Sequence, residues 1–193
     1  MKDHLELKTR RFKRVEYDKL TEMAIWAPDE RLELLDGLLV VREPQGTSHA
    51  TAIRLAVAAL RNAFSAEWHI DSQLPVALDD DSEPEPDVAV VPGGERDYRV
   101  EHPRRPALIV EVADSSLMLD RRFKMHLYAR AGVLEFWIVN LVQGVVEVYR
   151  EPVASETAEY GATYASVVIA RTPDTITPLA APQSSVSVDA LLP

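Results

Sequence analysis

The sequence predicts one domain of mixed class, α/β or α+β, in which strands dominate and two substantial helices lie among them. Short runs rich in aliphatic and β-branched residues recur along the chain, bounded by Pro, Gly, Asp or Ser, and such runs are typical of buried strands. Two longer segments instead repeat their apolar residues at helical spacing. At 193 residues the chain is long enough to bury a sizeable core, so we expect a single domain over residues 1–193.

Composition narrows the class of protein. The apolar fraction of 47% and the charged fraction of 27% are those of an ordinary globular protein, and no apolar run approaches the roughly 20 residues of a membrane span. The absence of cysteine excludes disulfides and thiolate metal sites and favours a cytoplasmic location. The net charge of −10 argues against broad non-specific binding of nucleic acid, although clusters of basic residues permit a local cationic groove.

The first third of the chain predicts an arm, a short helix and a hairpin. Residues 1–14 are polar and are expected to form a loosely ordered arm, followed by a short helix around 17–25. Two apolar runs, 31–35 and 38–42, flank Asp36-Gly37, and this pattern predicts a β-hairpin with a tight turn. We expect the motif-bearing core to extend from about residue 17 to residue 150.

The middle of the chain predicts a long helix and two strands separated by an acidic loop. Ser48 is a suitable N-cap for a helix over roughly 49–66. Residues 68–78 are strand-like, and 79–86 form an acidic loop that contains prolines. The run 87–91 then predicts a short buried strand.

The remaining elements follow from the same patterns. The run 107–113 predicts a buried strand with Glu111 in its middle. Residues 120–131 have a helical pattern, with Gly132 placed as the C-terminal stop. Runs at 135–139 and 145–150 predict two more strands, and residues 151–193 are expected to contribute C-terminal strands and a tail without a catalytic pattern.

Three segments carry residues of the types that catalyse reactions or bind metal ions. Asp87 begins one predicted strand and Glu111 lies inside the next, and neighbouring strands about 4.8 Å apart can hold two carboxylates within reach of one ion. Mg²⁺ typically binds one or two carboxylates together with water and phosphate oxygens. Lys124 lies one helical turn from both Asp120 and Tyr128, so these three share a face. Together Asp87, Glu111 and Lys124 predict a site for metal-assisted phosphodiester hydrolysis.

Each of the six candidate residues also has a purely structural interpretation, which spacing alone leaves open. The alternatives are a surface position for Glu33, Glu111 and Lys124, a turn for Asp87, a helix cap or surface position for His49, and core packing for Tyr128.

Six motifs occur in order along the chain: Leu32-Glu33-Leu34-Leu35-Asp36-Gly37, Ser48-His49, Pro86-Asp87-Val88, Glu111-Val112-Ala113-Asp114-Ser115, Lys124 with Tyr128, and Gly132-Val133-Leu134-Glu135-Phe136-Trp137-Ile138-Val139. With these motifs the sequence resembles the Uma2 family of restriction-endonuclease-like proteins, within the PD-(D/E)XK nuclease superfamily. The resemblance covers roughly residues 17–150. It implies a restriction-endonuclease-like core with a central mixed β-sheet flanked by helices and an N-terminal hairpin.

The resemblance also implies roles for residues. Asp87 and Glu111 match the metal-binding acids of the superfamily signature. The position two residues after Glu111 is Ala113 rather than lysine, and Lys124 matches the lysine that the family carries on the following helix. Glu33 matches the acid on the family's first hairpin.

Two further positions complete the comparison with the family. His49 matches the histidine at the long helix, and with Tyr128 it would support the site. The strand after Gly132 ends in Asn140, where the family often has Asp.

Two functions from different classes remain open at this point. The first is a Mg²⁺- or Mn²⁺-dependent endonuclease acting on DNA, with Asp87, Glu111, Lys124 and Glu33 as catalytic residues. The second is a catalytically inert nuclease-fold protein that serves as a binding or assembly module, which the acidic net charge favours. A homodimer would suit an enzyme that cuts both strands of a duplex, although no sequence pattern marks an interface.

Overall fold

The computed structural model of the chain describes residues 9–27, 30–42, 44–158 and 160–193. Most of the predicted arm over residues 1–14 lies outside these ranges, and its last residue begins a helix. The elements in chain order are α1 (Arg14–Glu22), β1 (Leu32–Leu35), β2 (Leu38–Val41), α2 (Thr47–Ala63), β3 (Trp68–Asp71), β4 (Val88–Pro92), β5 (Leu108–Ala113), α3 (Leu117–Leu119), a π-helical segment (Asp120–Lys124), α4 (Met125–Arg130), β6 (Glu135–Asn140), β7 (Val145–Ala154), β8 (Ala162–Ala170), β9 (Thr175–Ile176), β10 (Val186–Ser187) and a 3₁₀ turn (Val188–Ala190).

The predicted hairpin is confirmed. Strands β1 and β2 pair antiparallel, with Leu35 opposite Leu38. Both turn residues have positive φ, 49° at Asp36 and 76° at Gly37, which matches the right-handed twist of a tight hairpin. Every residue of β1 is buried, so Glu33 lies inside the protein rather than on the hairpin surface.

One six-stranded mixed sheet forms the centre of the fold, with strand order β3-β4-β5-β6-β7-β8. Only β5 and β6 run parallel; the other neighbours are antiparallel. The connection from β5 to β6 contains α3, the π-helical segment and α4, because parallel neighbours require a crossover. This arrangement confirms the predicted mixed sheet flanked by helices.

Alternate residues of β5 face two different helices. Leu108, Val110 and Val112 pack in the larger core with α2, while Ile109 and Ala113 pack in the smaller core with Tyr128 of α4. Because side chains alternate along a strand, Glu111 points to the same side as Ile109 and Ala113. The sheet therefore presents Glu111 to the layer that carries the helical crossover.

Several predicted boundaries are wrong. The short helix spans Arg14–Glu22 rather than 17–25. Helix α2 begins at Thr47, with Gly46 rather than Ser48 as N-cap, because Gly46 is already extended and accepts the first helical hydrogen bond from Ala50. The strand expected over 68–78 ends at Asp71.

The C-terminal part of the chain contributes more to the fold than its sequence indicates. Strand β8 is the sixth strand of the sheet, and Val186, Val188 and Leu191 pack in the core beside α2. Gly132 ends α4 as predicted, with φ of 76° and a hydrogen bond from Val133 N to Tyr128 O. None of the helices in the described part of the chain is both long and apolar enough to cross a membrane.

Candidate active site

The candidate residues converge beside the end of β5 that leads into the helical crossover. A pocket of about 240 Å³ opens there. It is lined by five of the six candidates, Glu33, His49, Asp87, Glu111 and Lys124, and by Arg42, Asp120 and the loop residues Gln45 and Gly46. Tyr128, the sixth candidate, is fully buried and contacts Glu111.

Lys124 lies at the centre of this group. Its Nζ is 3.1 Å from Glu111 Oε1 and 3.1 Å from Glu33 Oε2, and the side chain is almost entirely buried. Burial by itself lowers the pKa of Lys124, but the carboxylates of Glu111 and Glu33 outweigh it and raise that pKa above its ordinary value. The ammonium is therefore charged and bridges two carboxylates, and the interpretation of Lys124 as a solvated surface lysine is wrong.

Glu111 is buried between Lys124 and Tyr128. The Tyr128 hydroxyl donates a hydrogen bond of 2.6 Å to Glu111 Oε1, the same oxygen that contacts Lys124. Burial raises the pKa of Glu111 to about 8, and the acids Asp87 and Asp120 add to the effect, while Lys124 opposes it. A solvent-facing edge position for Glu111 is thus excluded.

Asp87 lies immediately before β4, and β4 is the neighbour of β5, which carries Glu111. The pairing of Val88 with Val110 brings Asp87 across from Glu111. Asp87 Oδ2 accepts a hydrogen bond of 2.9 Å from the backbone N–H of Val112. Burial raises the pKa of Asp87, but His49 and the Val112 amide outweigh it, so that the pKa lies below its ordinary value.

His49, in the first turn of α2, faces Asp87. Its Nε2 is 3.1 Å from Asp87 Oδ2. This nitrogen is buried and forms no hydrogen bond within the described residues. The long helix therefore places an imidazole nitrogen beside the Asp87 carboxylate at the candidate site.

Glu33 connects the hairpin to the site. Its Oε2 accepts a hydrogen bond of 3.0 Å from the backbone N–H of Glu85, and both of its oxygens lie near Lys124. Because β1 is buried on both faces, the hairpin holds this carboxylate against the end of the sheet.

Arg42 also lines the pocket, although the sequence patterns did not indicate it. Its guanidinium lies 3.5 Å from Glu33 Oε1, 2.8 Å from Glu85 Oε2 and 3.5 Å from Asp87 Oδ1. It directly follows β2, and only its position after the hairpin that carries Glu33 could have indicated it.

Asp120 was also missed as a site residue, although helical spacing placed it on the face of Lys124. It is buried, and its Oδ2 accepts a hydrogen bond of 2.7 Å from the Ser116 hydroxyl. Burial raises the pKa of Asp120 to about 6, with Lys124 opposing the shift.

The charges of the pocket fit a divalent cation. Four buried carboxyl groups (Glu33, Asp87, Glu111 and Asp120) face the two cations Lys124 and Arg42, and crowded carboxylates favour a bound cation. Carboxylate oxygens are the ligands that Mg²⁺ prefers. Among the described residues no three His, Asp or Glu side chains are grouped so that they could hold a metal ion by themselves. An ion held by Asp87 and Glu111 would therefore complete its shell with water and phosphate oxygens.

Comparison with known proteins identifies the same family as the six sequence motifs. The sequence model of the Uma2 family, described as "Putative restriction endonuclease", matches residues 15–189. A crystal structure from Anabaena variabilis ATCC 29413, described as "a putative nuclease belonging to DUF820", superposes with a TM-score of 0.65 at 15% identity. The superposition covers 88% of this chain and 94% of that chain, and at this identity it establishes the fold. No curated protein matches the chain. Because the family model extends from α1 to the C-terminal 3₁₀ turn, the chain belongs to the Uma2 family.

Proposed function

We propose that this chain is a Mg²⁺- or Mn²⁺-dependent endonuclease that hydrolyses phosphodiester bonds of DNA. The observation that carries the proposal is the convergence of Asp87 and Glu111, on neighbouring strands, with the Lys124 ammonium in one pocket. The description of the Uma2 family as restriction endonucleases supports it, as does the name of the superposed structure as a nuclease.

In this proposal Asp87 and Glu111 hold the ion, and Tyr128 and the Val112 amide fix the orientation of the two carboxylates. When bound, the ion would supply a water of lowered pKa and neutralise charge on the scissile phosphate. Lys124 is charged and lies 3.1 Å from Glu111, so its ammonium offsets negative charge that develops on the phosphoryl group or orients the attacking water.

Glu33 and His49 complete the site around this centre. Glu33 holds the Lys124 ammonium towards Glu111. The His49 Nε2 lies 3.1 Å from Asp87 Oδ2, and in this proposal His49 serves as an outer ligand or as a general base.

Substrate binding should depend strongly on the cation. A phosphate approaching four buried acids meets repulsion, and the chain as a whole carries a net charge of −10. A divalent ion would offset this local negative charge. We therefore expect weak binding of DNA in the presence of chelator.

The proposal is tested by cleavage of supercoiled plasmid and of single-stranded DNA with Mg²⁺ or Mn²⁺. Asp87→Asn and Glu111→Gln keep the shape of each side chain and remove its negative charge. Because a catalytic metal contributes several kcal/mol of charge stabilisation, each substitution should lower the cleavage rate by about 100-fold or more.

The matched control is Glu101→Gln, which removes a carboxylate at an exposed position outside the pocket. It should cleave like the wild type. Wild-type cleavage rates in both Asp87→Asn and Glu111→Gln, or metal-dependent cleavage lost equally in Glu101→Gln, would reject the proposed site.

A second candidate is a nuclease-fold protein that binds or assembles without cutting. Two observations favour it: the net charge of −10, and the absence of a group of three metal-binding side chains from the part of the chain that the structure describes. Calorimetric titration with Mn²⁺ distinguishes the two candidates. Heat of binding that disappears in Asp87→Asn supports the nuclease, and no binding at millimolar Mn²⁺ supports the inert module.

A further inference from the structure

Arg42 contacts three carboxylates with unequal closeness. Its side chain is only 9% exposed, and its Nη1 lies 2.8 Å from Glu85 Oε2. The contacts with the two acids that line the pocket are longer, 3.5 Å from Nε to Glu33 Oε1 and 3.5 Å from Nη2 to Asp87 Oδ1. Glu85 does not line the pocket. The guanidinium is therefore held most closely from outside the pocket, while its other nitrogens face the acids within it.

The Asp87 oxygen next to Arg42 is the less firmly held of the two. Asp87 Oδ2 accepts a hydrogen bond of 2.9 Å from the Val112 backbone N–H and lies 3.1 Å from His49 Nε2. Oδ1 has longer contacts, 3.5 Å with Arg42 Nη2 and 3.4 Å with Gln73 Nε2, which are weak by the usual geometry of hydrogen bonds. Oδ1 is therefore the oxygen that a divalent ion would displace from its present contacts most readily.

Arg42 remains positively charged in this position. Burial by itself lowers the pKa of Arg42, but Glu33, Glu111 and Asp87 outweigh it and raise that pKa above its ordinary value. Mg²⁺ binds a carboxylate oxygen at about 2.1 Å, so an ion on Asp87 Oδ1 would lie close to the guanidinium. Two positive charges at this separation repel each other, and they do so more strongly in a buried pocket than in water.

We propose that Arg42 competes with a divalent cation for Asp87, so that its positive charge lowers the affinity of the pocket for the metal. The guanidinium can keep its 2.8 Å contact with Glu85 when the ion takes Asp87 Oδ1, so the exchange does not require Arg42 to lose its closest partner. The inference rests on the proposed metal-dependent function and adds a residue that controls how tightly the ion binds.

Calorimetric titration with Mn²⁺ tests the proposal. Arg42→Gln removes the positive charge and keeps a polar side chain that can donate hydrogen bonds. Because the repulsion on the ion is lost, the Mn²⁺ dissociation constant should fall by about tenfold or more. Arg42→Lys keeps the charge, and its Mn²⁺ dissociation constant should stay within about threefold of the wild-type value.

Arg31→Gln is the matched control. Arg31 Nη2 lies 3.2 Å from Glu85 Oε2, the same oxygen that Arg42 contacts, but its side chain is 51% exposed and does not line the pocket. The substitution removes the same charge from the same partner at a solvent-screened position. Its Mn²⁺ dissociation constant should stay within about twofold of the wild-type value.

Urea denaturation separates competition from a merely structural role of Arg42. In chelator Arg42→Gln should be less stable than the wild type, because buried acids lose a compensating charge. Mn²⁺ should then stabilise the variant more than the wild type, since the stabilisation by a ligand grows as its dissociation constant falls. If Arg42→Gln is unfolded in chelator, millimolar Mn²⁺ should restore its folded circular dichroism, and a variant that stays unfolded would contradict the proposal.

The possible results also distinguish this inference from the proposed function. Mn²⁺ that binds Arg42→Gln no more tightly than the wild type, or equal tightening in Arg31→Gln, would overturn the competition and leave the proposed nuclease standing. No heat of Mn²⁺ binding in the wild type or in any variant would overturn both. Tighter binding in Arg42→Gln alone, together with its larger stabilisation by Mn²⁺, is the result that the proposal predicts.

Discussion

The buried charges of the pocket are held by a small set of contacts at Lys124 and Glu111. Removing one partner of a buried ion pair leaves an uncompensated charge and costs more than the net strength of the pair. Glu111 is contacted on one oxygen by both the Lys124 ammonium and the Tyr128 hydroxyl. These contacts fix the carboxylate against β5 and make its orientation independent of solvent.

Tyr128→Phe removes only the hydroxyl group and its hydrogen bond to Glu111, since the aromatic ring keeps its packing against Phe136. Loss of a buried hydrogen bond to a carboxylate should lower the free energy of unfolding by about 2 kcal/mol. If Glu111 holds the ion, the cleavage rate should also fall by about tenfold or more, as it does when a group that orients a metal ligand is removed. Chemical denaturation and plasmid cleavage measure the two effects.

Tyr149→Phe is the matched control for this substitution. Tyr149 is a buried tyrosine that donates a hydrogen bond of 2.7 Å to Glu147, whose carboxylate also receives hydrogen bonds from Arg121 and Asn140 outside the pocket. It should lose stability by about 1 kcal/mol and retain cleavage. Equal effects of the two substitutions on cleavage would contradict the positioning role of Tyr128.

At the level of single residues, the sequence motifs indicated some of the residues that line the pocket and missed others. Glu33 precedes the Asp-Gly turn of the hairpin and Asp87 precedes an apolar strand, and both were assigned to the site because these local motifs resemble those of the Uma2 family. Arg42 and Asp120 were missed because their importance arises from partners distant in sequence, such as Glu33 and Glu111. Arginine and aspartate are common surface residues, so their types alone did not indicate a buried position.

The helical crossover is the element that brings Lys124 to Glu111. Residues Asp120–Lys124 form a π-helical segment, in which Met125 N donates to Asp120 O five residues earlier. Both Asp120 and Lys124 are buried in this segment. A π-helical turn of this kind often marks a functional site, and no sequence period indicates it, so the sequence predicted an ordinary helix over 120–131.

Helix α1 covers the acidic loop at Glu83. Glu83 pairs through its backbone with Leu34 of β1, and its carboxylate is buried, with Arg14 Nη1 3.7 Å from Oε2 and no hydrogen bond to that oxygen among the described residues. Burial raises the pKa of Glu83 to about 7, Asp18 adds to the shift, and Arg14 opposes it.

This shift predicts how stability depends on pH. The unfolded chain loses the Glu83 proton near its ordinary pKa of 4.5, while the folded protein keeps it until about pH 7. The folded state then binds more protons, so its stability falls as pH rises from about 4.5 to about 7. Glu83→Gln mimics the protonated form and should gain on the order of 2 kcal/mol relative to wild type between these limits.

Urea denaturation of both proteins at several pH values measures this difference, and the exposed Glu101→Gln serves as its control. Other buried acids add their own pH dependence to both proteins, so the informative quantity is the difference between the variant and the wild type. A difference that stays constant from pH 4.5 to pH 8 would contradict the account of Glu83.

At the scale of the whole molecule, the mixed sheet assembles a site from distant parts of the chain. Glu33 comes from the hairpin, Asp87 and Glu111 from neighbouring strands, and Lys124 from the crossover. The mixed class, the hairpin and the sequence of strands were predictable because hydrophobic periodicity is local. The six-strand order and the edge position of β8 were not, because strand pairing joins segments far apart in sequence.

The most direct test of the central claim is a crystal structure of the wild-type protein soaked in Mn²⁺, with an anomalous difference map. The account predicts a peak about 2.2 Å from carboxylate oxygens of both Asp87 and Glu111, with the Lys124 ammonium directed towards the same pocket. A map with no peak between these two acids at millimolar Mn²⁺, or with the metal bound elsewhere, would contradict it.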